Sequence, residues 1–149
     1  MYEQILVALD GSKIAEQVLP HVEALAEKFG STLLLLRATP LLSSASVAAS
    51  SPQDPTSVHD AEQQAAESYL SAVVEQLRAK GHTVRPELAR GAPAEQIVEH
   101  ARATGADLIA MTTHGRSGLG RLVFGSVAGE VLPNAPCPVL LVRAREDRG

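Results

Sequence analysis

Apolar residues recur along this chain in two alternating rhythms. Ile5, Leu6, Val7, Ala8 and Leu9 form an unbroken apolar run that stops at Asp10, Gly11 and Ser12. Such a run is apolar on both faces, as in a parallel strand covered by helices on each side. Residues 13–29 then switch to helical spacing, with Ile14, Ala15, Val18, Val22, Leu25, Ala26 and Phe29 on one face. Ser12 is placed to cap that helix and Gly30 to end it, while Pro20 predicts a kink inside it. Residues 32–36 (Thr32, then Leu33 to Leu36) are a second buried strand.

Residues 39–58 break both rhythms, being rich in Ser, Ala and Pro. A loop of that length in a small domain reads either as a lid or as an insertion without a role. Helical spacing returns over 60–79 through Ala61, Ala65, Tyr69, Val73 and Leu77, and Gly81 stops it. Residues 82–88 alternate and contain Pro86, which fits a strand at a sheet edge. Pro93 opens a helix over 94–104 that Gly105 closes. Residues 107–111 are a fourth strand, apolar on both faces. A helix through Val127, Val131 and Leu132 follows, then a last strand over 138–142 and a polar tail over 143–149.

Strand and helix alternate throughout, which predicts one α/β domain over 1–149: a five-stranded parallel sheet with helices on both faces. With right-handed crossovers and the first strand central, the strand order is 3-2-1-4-5. The winding then reverses between strands 1 and 4. Ligands of open sheets bind beyond the carboxyl ends of strands at such a reversal. Asp10 and residues 112–115 stand there.

Composition narrows the function. The 149 residues carry a net charge of −4, aromatics at 3% and no Trp. Neither a basic surface nor stacking platforms are present, so nucleic acid is not an expected partner. No apolar stretch nears the ~20 residues needed to span a bilayer, and a cytoplasmic location is the expectation. The single cysteine, Cys137, excludes an internal disulfide and reads as a small packed apolar residue.

The chemistry concentrates after strand 4. Gly115, Gly118, Gly120 and Gly125 crowd one loop, and Gly125 and Ser126 lead into a helix. Glycine lets backbone amides approach an anion, and a helix start favours negative charge. From Leu108 to Gly129 there is no carboxylate, while Arg116 and Arg121 are present. That combination points to a cradle for nucleotide phosphates. Tight turns in a structural loop would also use these glycines, and both arginines also read as solvated surface. His114 has no second histidine at ligand spacing and reads as a loop-structuring residue.

Several segments together resemble the universal stress protein family. They are residues 7–12 (VALDGS), 91–97 (GAPAEQI), 106–111 (ADLIAM), 114–119 (HGRSGL) and 135–142 (APCPVLLV). The resemblance implies a Rossmann-like fold of the adenine nucleotide alpha hydrolase type. The ATP-binding branch of that family carries G-x2-G-x9-G-[ST]. On this chain the second and third glycines are Gly115 and Gly125, the hydroxyl residue is Ser126, and Thr112 replaces the first glycine. By resemblance Asp10 bonds the ribose, the backbone at Arg37 meets the adenine edge, and Met111 and Thr112 line the sugar. Gly115, Arg116, Gly125, Ser126 and Val127 surround the phosphates. Mg or Mn rides on those phosphates, with Ser126 as the one candidate protein ligand. The resemblance also implies a homodimer through the last strand, Val139 to Val142.

The resulting expectation is a nucleotide-dependent stress-response module that binds ATP. Two alternatives are a dimer that works through protein partners without nucleotide, and a slow ATP hydrolase. No catalytic residue is assigned, since fast hydrolysis needs a group that positions water and the phosphate segment offers no carboxylate. A response-regulator receiver does not fit, because the third strand ends in Leu88, Ala89 and Arg90 with no phospho-acceptor Asp.

Overall fold

The computed structural model describes residues 1–39, 55–113 and 125–145, with the backbone alone at 55–59. Its elements are β1 (Gln4–Leu9), a 3-10 turn (Ala15–Val18), α1 (Leu19–Phe29), β2 (Thr32–Thr39) and α2 (Pro55–Ala79). β3 (Thr83–Arg90), α3 (Pro93–Thr104), β4 (Leu108–Thr113), α4 (Gly125–Asn134) and β5 (Val139–Arg143) follow. The sheet order is β3-β2-β1-β4-β5, with every pairing parallel. The predicted order and the reversal beside β1 are both present.

The apolar runs lie in the middle of the sheet because they must be buried twice. Ile5, Val7, Leu9, Leu33 and Leu35 belong to one core cluster, packed with Val22 of α1 and with Leu70, Val73 and Leu77 of α2. Leu6, Leu34, Leu36, Ile109 and Met111 belong to the other, with Ile97 and Val98 of α3 and Val131 of α4. Successive strand residues therefore enter opposite cores, as a period of two requires. β3, the strand with Pro86, is at the sheet edge.

Pro20 does more than kink the first helix. It stands in the first turn of α1, and a separate 3-10 turn precedes it. Proline has no N–H for a bond to the carbonyl of Glu16, which disfavours a continuous α-helix across this point. Gly30 and Gly105 end α1 and α3 in the left-handed region, at φ 66° and 70°. β2 continues to Thr39, and α2 begins at Pro55, whose fixed φ suits a first helical turn. Both lie within the stretch that the composition assigns to a loop; the rest of that loop, 40–54, lies outside the described residues.

The first residues of the tail, 143–145, are tied to the rest of the fold. Arg143 belongs to β5, Ala144 N–H donates to Thr113 O, and Arg145 N–H donates to Gln17 Oε1 at 2.8 Å. Gln17 Nε2 donates back to Arg145 O at 2.8 Å, so one amide side chain holds the chain after β5 against the 3-10 turn.

Asp107 pins the opposite end of the sheet. Its carboxylate accepts from Glu3 N–H at 2.9 Å and Gln4 N–H at 3.0 Å. Burial works to raise its pKa, but these bonds outweigh it and hold the carboxyl below the ordinary value. A lowered pKa in the folded state stabilises above the unfolded value and is lost as acid protonates the group. Asp107→Asn is expected to melt below wild type near neutral pH. The gap should close as the pH falls below about 4, the unfolded carboxylate range, in paired thermal melts across that range.

Candidate functional site

The carboxyl ends of β1, β2 and β4 are set side by side by the register. Leu9 pairs with Arg37, and Val7 pairs with Ala110. Beyond Leu9 the chain turns sharply at Gly11, whose φ of 89° suits glycine. Asp10 Oδ1 accepts from Ser12 N–H at 2.8 Å and Ser12 Oγ–H at 2.6 Å. Ser12 Oγ in turn accepts from Ala15 N–H at 3.1 Å, which starts the 3-10 turn. Asp10 thus organises the turn, and it is exposed at the sheet reversal.

Thr112 continues β4 and is buried, donating its hydroxyl to Ala15 O at 2.9 Å. Tyr2 is the one non-glycine residue with positive φ among the described residues, so the threonine carries no left-handed strain. It fastens the β1–α1 connection to the end of β4. Met111 sends its side chain into the core beside α3 and α4, which leaves only its main chain for a ligand.

α4 opens at Gly125, whose φ is 72°. Its first turn contains no acidic residue, Ser126 is exposed, and Val127 packs on the second core cluster. Orphan amides at such a helix start carry partial positive charge, here without a competing carboxylate from that turn. Gly115, Arg116, Arg121, His114 and the other loop glycines lie outside the described residues.

On the β2 side, the side chain of Arg37 lies against the turn. A Cβ on Gly11 would come within 1.8 Å of Arg37 Nη1, so the guanidinium lies directly against this glycine. Its other neighbour is the ring of Tyr69 on α2, 5.3 Å from Cζ to the ring centroid. Tyr69 Oη donates to Glu16 Oε2 at 2.9 Å. Burial raises the phenol pKa, the Glu16 bond and the charges of Glu16 and Asp10 raise it further, and Arg37 opposes them. The ring therefore stays a neutral phenol. Past Arg37, β2 continues beside β3 to Thr39 while its pairing with β1 ends at Leu9. One edge of its main chain thus faces the mouth.

Sequence reasoning did not find Tyr69 or Glu16, since contacts between residues 16, 37 and 69 are invisible to local patterns. One signal was available. A charged residue ending a run of leucines, as Arg37 does, needs a partner when it is partly buried. Elsewhere, Cys137 packs on the second core cluster, and burial raises its thiol pKa with help from the charge of Asp107. Among the described residues, no group of three His, Cys, Asp or Glu side chains is placed to hold a metal ion. No helix among them is long and apolar enough to cross a membrane.

The doubly wound α/β sheet defines a class of architectures whose ligands bind at the reversal, here between β1 and β4. The universal stress protein family model matches residues 1–143, and the chain belongs to that family. It is 33% identical over 144 residues to universal stress protein MJ0531 of Methanocaldococcus jannaschii, covering 96% of this chain and 83% of the relative. The solved structure of MJ0577, from the same organism, superposes with a TM-score of 0.83 at 26% identity, covering 99% of each chain. A universal stress protein from Archaeoglobus fulgidus, solved in complex with dAMP, shares the fold with a TM-score of 0.64 at 24% identity, over 94% of this chain and 97% of that one.

Proposed function

We propose that this protein binds ATP across the sheet reversal and acts as a nucleotide-dependent stress-response module. The observation that carries the reading is α4, the next element after β4, opening at Gly125 in the left-handed region with no acid in its first turn. Asp10 accepts from the ribose hydroxyls, the main chain at Arg37 meets the base edge, and Met111 and Thr112 form the wall beneath the sugar. Gly115, Arg116, Gly125, Ser126 and Val127 surround the phosphates. A divalent cation, Mg or Mn, rides on those phosphates and neutralises them, with the Ser126 hydroxyl as its protein contact. The A. fulgidus relative that holds dAMP supports an adenine nucleotide on this fold. Three or four charge-assisted bonds at roughly 1.5–3 kcal/mol each suffice for micromolar affinity. Calorimetric titration with Mg-ATP tests the reading, together with mass spectrometry of any nucleotide that co-purifies. No heat at millimolar Mg-ATP and no bound nucleotide would reject it.

The same reading includes a homodimer through β5. This strand closes one side of the sheet, and Val139, Leu140 and Leu141 are only partly buried. Pro138 O accepts from Ile109 N–H and Ala144 N–H donates to Thr113 O, so even-numbered residues bond β4 and odd-numbered ones point to the free edge. An apolar edge with unpaired main-chain groups calls for cover by a second copy. Leu141→Pro removes one outward N–H and leaves the β4 ladder intact. It is expected to shift the protein from dimer to monomer in light scattering after size exclusion. A wild type that is already monomeric would refute the dimer.

A further inference from the structure

We infer that the guanidinium of Arg37 reads the nucleotide base, donating to a ring nitrogen of the adenine. The inference rests on the nucleotide-binding reading above and assigns the side chain a role beyond that of the main chain at this position. A guanidinium has five N–H donors and no acceptor. The Nε of Arg37 is buried without a hydrogen-bond partner, while the residue as a whole is only half-buried. A guanidinium with one donor already unmet in the interior leaves its other N–H groups, on the half-buried side chain, to meet a partner that arrives from outside.

Position selects which part of the ligand that partner is. Arg37 ends the β1-paired part of β2, α4 follows β4, and β1 lies between them. Strands lie about 4.8 Å apart, so the β2 end is roughly 10 Å from the β4 end. A nucleotide with its phosphates at α4 and its sugar over Asp10 places its base at β2. Tyr69 on one side and Gly11 on the other hold the guanidinium at that end of the cleft. The nearby carboxylates of Asp10 and Glu16 make the surroundings poor for a second phosphate. A neutral acceptor suits the donors better, and adenine offers ring nitrogens.

The test is calorimetric titration of the full chain with the Mg complexes of ATP and its 1-deaza, 3-deaza and 7-deaza analogues, and with tripolyphosphate. Wild type is expected to bind one deaza analogue about tenfold or more weakly than ATP, the effect of one bond to a charged donor. Arg37→Met should bind ATP as weakly as wild type binds that analogue, and should no longer distinguish the two. Its affinity for tripolyphosphate should be unchanged. Equal binding of ATP and all three analogues by wild type overturns the proposal without using any variant. Equal losses of ATP and tripolyphosphate in Arg37→Met also overturn it, since Arg37 would then act only by charge on the phosphates. Absence of any ATP binding removes the nucleotide reading itself, and this inference with it.

Discussion

Gly125→Val should weaken Mg-ATP binding by roughly 10- to 100-fold, while the domain still unfolds in a single cooperative transition. Two effects act together. The backbone at this residue has φ of 72°. A non-glycine residue there costs about 1–2 kcal/mol, and a β-branched one is a genuine outlier. The chain escapes that strain by starting the helix later, which turns the amides of Ser126 and Val127 away from the phosphates. A Cβ with two methyls would also stand where an anion approaches the main chain. Gly125→Ala carries the strain with less bulk and should fall between the two. Thermal melts separate the effects, because α4 keeps Ala128 and Val131 in the core whatever happens at its first residue. Calorimetry showing the same affinity for wild type and Gly125→Val would remove the phosphate cradle from this helix start.

The fold was legible because its strongest signals are local. Leucine runs at β2, the apolar β1 and β4, and glycines just after α1 and α3 name their elements without tertiary information. Strand order followed from alternation and the handedness of crossovers. The ends of elements were less legible. β2 continues through Arg37, Ala38 and Thr39 because β3 supplies a neighbour over that whole stretch, which no local pattern announces. The 3-10 turn at Ala15–Val18 fits Pro20, which offers no N–H to Glu16 O, and Ser12 and Thr112, which both hold its first residue, Ala15.

The candidate site divides in the same way. Asp10, Thr112, Gly125 and Ser126 stand out in the sequence because turn chemistry and motif spacing lie along the chain. Thr112 as a departure from the motif raised the question of backbone strain. The structure answers it by placing the residue in β4 with its hydroxyl bonded to Ala15 O. The Arg37–Tyr69–Glu16 contacts join a strand, a helix some thirty residues later and a turn some twenty residues earlier. Packing of α2 on the sheet creates that constellation, and only the unusual placement of an arginine after leucines hinted at it. Gln17 holding Arg145 belongs to the same kind, since an amide pairing with main chain far along the sequence leaves no periodic trace.

Ile109→Ala is expected to cost about 2–5 kcal/mol of stability, a large fraction of the 5–15 kcal/mol typical of a domain. Ile109 is fully buried near the start of β4, pairs with both Leu6 and Val139, and shares its core with Ala128 and Val131 of α4. At about 2–4 °C per kcal/mol for a chain of this size, the midpoint should fall by about 10 °C. Ile109→Val removes one methyl and should cost about 0.5–1.5 kcal/mol. The consequence for function follows from what α4 rests on. The same side chains that bury α4 fix where its first amides point, so a cavity beneath Val131 lets the helix start drift from the reversal. Mg-ATP affinity, measured well below the midpoint where the variant is fully folded, should therefore fall for Ile109→Ala and hardly move for Ile109→Val. A variant that melts early yet binds as wild type would show that α4 is aimed by the loop before it, and that the core holds the sheet without directing the phosphate contacts.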